Sequence, residues 1–264
     1  MCNRRRTWIL IMPINYKVIN ITFQIDGFFD LMWKKFETQT TNLNFVVTYL
    51  NEIKLIHGLE CFETSGVGAH IIRRDSDVLI TDEKWKYATI LPLKERGHVN
   101  SFFCQLFYTH AVQRHIIYLH SSLISCQNRG LMFLGPSGIG KTTQAELWNK
   151  YRNALIINGD VVFVQETEDV FLGWGTPWHG SSPYCENTSV PVSALIVLKQ
   201  AEKNSIRELI GFEKVTAVSE SVFYPRWLEN GMELCLEILD HLLSSVPVYE
   251  LSCRPDEEAV RLVE

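Results

Sequence analysis

Four residues at fixed spacing carry the strongest chemical signal in the chain. Gly135, Gly140, Lys141 and Thr142 satisfy the pattern G-x-x-x-x-G-K-[ST] within "GPSGIGKTTQ". Glycines at such spacing let the backbone wrap and turn its N–H groups toward one point, which makes an anion nest. A helix starting at the lysine aims its positive end at the same place. The lysine adds a full charge for β and γ phosphates, and the threonine hydroxyl offers a ligand to Mg²⁺. The residues expected to cradle a nucleotide are therefore Gly135, Ser137, Gly138, Ile139, Gly140, Lys141, Thr142 and Thr143, with ATP and Mg²⁺ as the expected cofactors.

Such a loop also needs an acid beside the metal, at the end of a neighbouring apolar strand. "ALIINGD" supplies Asp160, so Thr142 and Asp160 form the expected metal pair. The same Asn-Gly step is a turn signal, and the two readings are compatible. The remaining chemistry falls to histidines, whose ordinary pKa suits proton transfer. His120 stands in "LHSSLI", and His179 in the small-residue and aromatic stretch "GTPWHGSS". With Lys141 and Asp160 they make the candidate catalytic set. In that stretch Trp178 offers an apolar face, and His179, Ser181 and Ser182 offer polar contacts to an acceptor. Arg226 and Arg254 are further candidates for neutralising transferred charge.

The elements that must hold these residues can be read from periodicity. "IIYLHSSLISC" and "LMFL" are strands joined by the turn "QNRG", so they should pair as an antiparallel hairpin that feeds the loop directly. A helix then runs to about Tyr151. "ALII", "VVFVQ", "VFLGW", "VSALIVLKQ" and "VPVYEL" read as strands, the fourth long and buried. Phe212, Val215, Val218 and Val222 recur at helical spacing, as do Leu234, Cys235, Ile238, Leu239, Leu242 and Leu243 more strongly. "PDEEAVRLV" is a closing helix with a proline ahead of it and acids in its first turn. Upstream, "VINITFQI", "AHIIRR", "VLIT" and "YATILPL" read as short strands, and residues 100–113 as a helix. The fold class expected is α/β with an α+β tendency. A small β-rich region closed by a helix spans residues 1–115, and a P-loop domain with a mixed sheet spans residues 116–264.

"LHSSLI", "GPSGIGKTTQAELW" and "LIINGD", followed by "GTPWHGSS" and "LSCRPDEEAV", resemble the HPr kinase and phosphoenolpyruvate-carboxykinase-like P-loop proteins, over about residues 116–264. The resemblance implies a kinase-like fold and an ATP- and Mg²⁺-dependent phosphotransferase acting on a hydroxyl of a peptide, protein or small metabolite. It also implies a histidine near the phosphates at His120. True HPr kinases carry two adjacent aspartates where this chain reads Gly159 and Asp160, so HPr itself is not the expected acceptor. A second reading is an ATP-binding accessory protein without turnover, of the kind that serves a peptide-modification system.

The 264 residues carry a net charge of −5, which does not favour nucleic acid as a partner. Seven cysteines, with no C-x-x-C pair, fit a reducing compartment and a cytoplasmic protein. "NRRRTWILIMPIN" has a basic cluster and a short apolar run, but no small-residue cleavage site follows, and no stretch approaches the ~20 apolar residues of a membrane helix. The expected partners are a nucleotide and an acceptor the sequence does not name. A homo-oligomer is among the assemblies open to the chain.

Overall fold

The structure, a computed structural model, describes residues 12–28, 30–50, 54–56, 59–61, 68–92 and 98–264. The basic and apolar run at residues 3–11 lies outside them. The chain is α/β and divides into two compact units, Met1–Leu106 and Phe107–Glu264.

In the first unit, β1 (Ile14–Val18), β2 (Ile21–Asp26), β3 (Phe45–Tyr49), β6 (His70–Arg74), β7 (Asp77–Thr81) and β8 (Tyr87–Leu91) form one sheet, in the order β1-β2-β3-β8-β7-β6. The short pair β4 (Lys54–Ile56) and β5 (Leu59–Cys61) stands apart from it. "VINITFQI", read as one strand, is broken: the chain reverses at Ile19 and Asn20, with Ile19 at φ 57°. A turn without glycine or proline leaves no punctuation in the sequence, and the apolar alternation runs straight through it. A 3-10 helix at Leu31–Phe36, capped by the Asp30 carboxylate on Met32 N at 2.9 Å, turns Trp33 and Phe36 inward. Tyr16, Phe23, Trp33 and Phe45 pack into an aromatic core, with Phe23 stacked on Phe45 and Trp33 edge-on to Tyr16 and Phe23. Helix α1 (Val99–Val112) carries the chain across the division between the units.

The second unit is organised by two long strands that each serve two sheets. β9 (Ile116–Cys126) and β10 (Arg129–Leu134) form the expected hairpin, closed by Gln127 and Asn128 at positive φ. After the loop come α2 (Lys141–Arg152), β11 (Leu155–Asn158), β12 (Val161–Glu166), β13 (Phe171–Trp174) and β14 (Ser189–Gln200). The chain ends with β15 (Ser205–Leu209), α3 (Gly211–Ser219), β16 (Val222–Phe223), α4 (Gly231–Ser245), β17 (Val248–Cys253) and α5 (Glu257–Val263). One sheet runs β11-β9-β10-β14-β17-β15, with β10, β14 and β17 parallel. The other half of β9 pairs with β12, β12 with β13, and β13 with the other half of β14. Strands β9, β10, β14, β13 and β12 thus close a ring.

α2 packs on this sheet through Ala145 and Trp148, among Phe133, Ile156, Ile196 and Val260. Burying such side chains contributes about 1.5–3 kcal/mol each. α4 buries Cys235, Ile238, Leu239, Leu242 and Leu243, the stripe its periodicity indicates. Of the stripe read through Phe212, Val215, Val218 and Val222, the first three lie in α3. Val222 sits in β16 on the edge of β9, and Phe212 is 83% exposed. The polar edge strand β15, "SIREL", has no apolar alternation strong enough to announce it. Among the described residues no helix is long and apolar enough to cross a membrane.

Candidate phosphate-binding site

Parallel strands β10, β14 and β17 end at the same edge of the sheet, and the loop leaves β10 there. Open α/β sheets bind their ligands at this edge. Gly135, Gly138 and Gly140 take φ of 133°, 81° and 115°, values that L side chains rarely adopt. A Cβ at Gly138 or Gly140 would meet nothing within 4 Å, so the loop borders open space. Gly140 is the N-cap of α2 and supplies no side-chain cap. The first N–H groups of that helix are therefore left to an external acceptor, which an anion satisfies.

Lys141 is buried against the loop, its ammonium donating to the Gly135 carbonyl at 2.9 Å and the Pro136 carbonyl at 3.2 Å. Burial lowers its pKa, and the nearby Asp160 carboxylate partly restores it. The Ser122 hydroxyl, on β9, donates to the Lys141 carbonyl at 2.9 Å and ties the helix start to the hairpin. The Thr142 hydroxyl donates to Gly159 O at 3.3 Å, which places it beside Asp160. On the strand next to β10, His120 Nδ1 lies 3.4 Å from Asp160 Oδ1. Its pKa is lowered, first by burial and then by the Lys141 charge, with Asp160 opposing. The imidazole is thereby held neutral at pH 7. The structure brings Lys141, Thr142, Asp160 and His120 to one place.

One residue that fixes this arrangement was not singled out from the sequence as a site residue. Asn158 is fully buried, and its Oδ1 accepts from the backbone N–H groups of Asp160 and Val161, each at 2.9 Å. Its amide donates to the carbonyls of Thr176 and Trp178, each at 3.1 Å. Asn158 therefore sets the turn that aims Asp160 and also fastens the 175–182 loop to it. In sequence its only sign is the Asn-Gly turn signal at the end of an apolar strand. Gly180, at φ 57°, lies so close to Asp160 that a Cβ there would sit 2.3 Å from Oδ2. Gly159 is equally constrained, since its Cβ would sit 1.9 Å from Ser182 Oγ. A side chain at that position would require Ser182 to move.

The 175–182 stretch does reach the site, but not with the face expected. Trp178 is buried among Phe107 and Phe163, with ring centroids 5.1 and 6.1 Å away, and belongs to the core. His179 Nδ1 donates within its own loop to the Ser182 carbonyl. Arg254 is held by Asp256 and Glu258 at 3.1 and 3.5 Å.

The residues present fit a magnesium nucleotide on two observations. The helix start is uncapped, and the Thr142 hydroxyl, bonded to Gly159 O, and the carboxylate of the next residue, Asp160, are hard oxygen donors. Among the described residues no three His, Cys, Asp or Glu side chains converge.

No protein-family model matches the chain, and no curated protein matches it. Among solved structures, the Hpr(Ser) kinase/phosphatase from Coxiella burnetii aligns with 55% of this chain and 93% of its own, at 12% identity and a TM-score of 0.34. A likeness at that level carries no argument about activity.

Proposed function

We propose that the chain is an ATP- and Mg²⁺-dependent phosphotransferase acting on a hydroxyl of a peptide, protein or small metabolite. The observation that carries this reading is the convergence of Lys141, Thr142, Asp160 and His120 at the mouth of an uncapped glycine loop. Phosphoryl transfer asks a protein mainly for positioning and charge neutralisation. Bound Mg²⁺ would supply positive charge against the charge developing in the transfer. Lys141 neutralises the β and γ phosphates, and the helix start holds them through its N–H groups. Thr142 and Asp160 hold the cation. His120, neutral and partly exposed, accepts the proton of the acceptor hydroxyl through the nitrogen not turned to Asp160. His179 orients the acceptor from the loop that abuts Asp160.

A second reading is an ATP-binding accessory protein without turnover. The glycine at 159, against which Ser182 packs, favours it, because the second acid of the HPr kinases is missing from this position. Calorimetry and labelled ATP separate the two. Wild type should bind Mg-ATP and pass label to an acceptor, and Lys141→Ala should weaken binding by about 10- to 10²-fold with little loss of fold, the worth of hydrogen bonds from a charged group. Binding without transfer to any acceptor class would favour the accessory reading. ATP affinity and turnover both unchanged in Lys141→Ala would sink the phosphate-loop assignment.

A further inference from the structure

A cleft of about 360 Å³ opens beside the phosphate loop, lined among others by Ile139, Thr143, Gln144, Leu198, Cys253 and Arg254. The strand order fixes which side of the loop it occupies. β10 lies between β9 and β14. Asp160 and His120 are on the β9 side, while the cleft walls come from the ends of β14 and β17. Successive helical residues point about 100° apart, so Thr142 can face Asp160 while Thr143 borders the cleft. Phosphates bound across the loop therefore have two distinguishable ends, a metal end and a cleft end.

The second observation is Gln144. It is 3% exposed, and its amide Nε2 donates to Cys253 Sγ at 3.2 Å. Its Oε1 has no hydrogen-bond partner among the described residues. Buried polar atoms are nearly always paired, so a lone acceptor in the wall of a cleft marks where a ligand's donor belongs. Ile139 and Leu198 add apolar surface, and the Arg254 guanidinium, held by Asp256 and Glu258, offers a flat stacking face at the rim.

We infer that this cleft seats the nucleoside of the bound nucleotide, and that Gln144 Oε1 accepts a hydrogen bond from an exocyclic amino group of the base, as on adenine. The inference rests on the phosphotransferase reading and adds to it the direction of the nucleotide and the residue that selects the base. An oxo group at the same position would set acceptor against acceptor and is disfavoured.

The test compares Mg-ATP, Mg-ITP and Mg-tripolyphosphate by calorimetry on the full chain, in wild type and Gln144→Met. ITP carries an oxo group where ATP carries the amine, and tripolyphosphate has no nucleoside. ATP should bind at least tenfold tighter than tripolyphosphate and about three- to tenfold tighter than ITP, the worth of one hydrogen bond. Gln144→Met should bring ATP to the ITP level without changing tripolyphosphate affinity. Equal affinities of wild type for ATP and tripolyphosphate would overturn the nucleoside seat and leave the phosphate loop standing. Equal ATP and ITP affinities, or a preference that survives Gln144→Met, would overturn the role of Gln144. If Gln144→Met unfolds in a thermal melt, the wild-type ratio decides alone. Failure of wild type to bind either ATP or tripolyphosphate, so that neither is held, would refute the underlying phosphotransferase reading instead.

Discussion

Gly180→Ala should separate metal binding from folding. The added methyl would sit 2.3 Å from Asp160 Oδ2 and 2.7 Å from its Cγ, where about 3.4 Å is ordinary contact. Something must yield by about 1 Å, and the softest element is the carboxylate itself. The stability cost is therefore small. It is mainly the left-handed backbone, φ 57°, which disfavours alanine by about 1–2 kcal/mol. The cost to the metal is larger, because Mg²⁺ demands near-ideal octahedral geometry at about 2.1 Å. Misplacement by about 1 Å can cost on the order of 10²-fold at such a site. We expect Mg²⁺-dependent tightening of ATP binding to fall by about 10- to 100-fold, metal-free ATP binding to stay near wild type, and the melting temperature to drop by a few degrees. Asp160→Asn should show the same metal defect, and the double variant should be no worse than either single one. Magnesium dependence unchanged in Gly180→Ala by calorimetry would refute the assignment of Asp160 as a metal ligand held against this glycine.

Two further outcomes follow from the packing and the charges. Trp178→Ala removes a buried ring from Phe107 and Phe163 and should destabilise the fold by about 3–5 kcal/mol in urea titration, while a stable variant with a selective acceptor defect would contradict its core placement. The Glu166 carboxylate bridges His115 at 2.9 Å and His241 at 2.7 Å. Hydrogen bonding to Glu166 raises the His241 pKa above 6.5, so that contribution is complete below 6.5 and is lost as pH rises through the folded value. Burial pushes Glu166 up, but the two imidazoles outweigh it and hold it below 4.5, so its contribution is lost as pH falls through that lower value. The melting-temperature gap between wild type and His241→Leu should be widest between those limits and shrink toward pH 8, and a gap that is flat with pH would remove the ion pairs from the account.

The hairpin, the glycine loop, the start of α2 and the placing of Asp160 are legible because local rules govern each. A short turn forces adjacent strands to pair, and glycine spacing defines the nest. What escaped the sequence depends on distant partners. Asn158 reads as half of a turn, and only the fold shows that its amide reaches Thr176 and Trp178. Trp178 reads as a ligand face because aromatic residues serve cores and sites alike. Val222 extends a helical period by coincidence and instead pairs at the edge of β9. The cleft at Gln144 requires knowing that β14 and β17 follow β10 in the sheet, an order that no local pattern encodes.

The ring of β9, β10, β14, β13 and β12 bears on how the chain is made. As the polypeptide emerges, the β9–β10 hairpin can form at once, since its partners are neighbours in sequence. The other edge of β10 waits for β14, some 60 residues later, with Gly130 opposite Val192 and Leu134 opposite Val197. Parallel pairing across so long an interval is intrinsically slow, because loop closure must precede any reward. During that interval the nascent phosphate loop is braced on one side only. Its competence to grip an anion is therefore acquired late in synthesis, when β14 seals the barrel beside it.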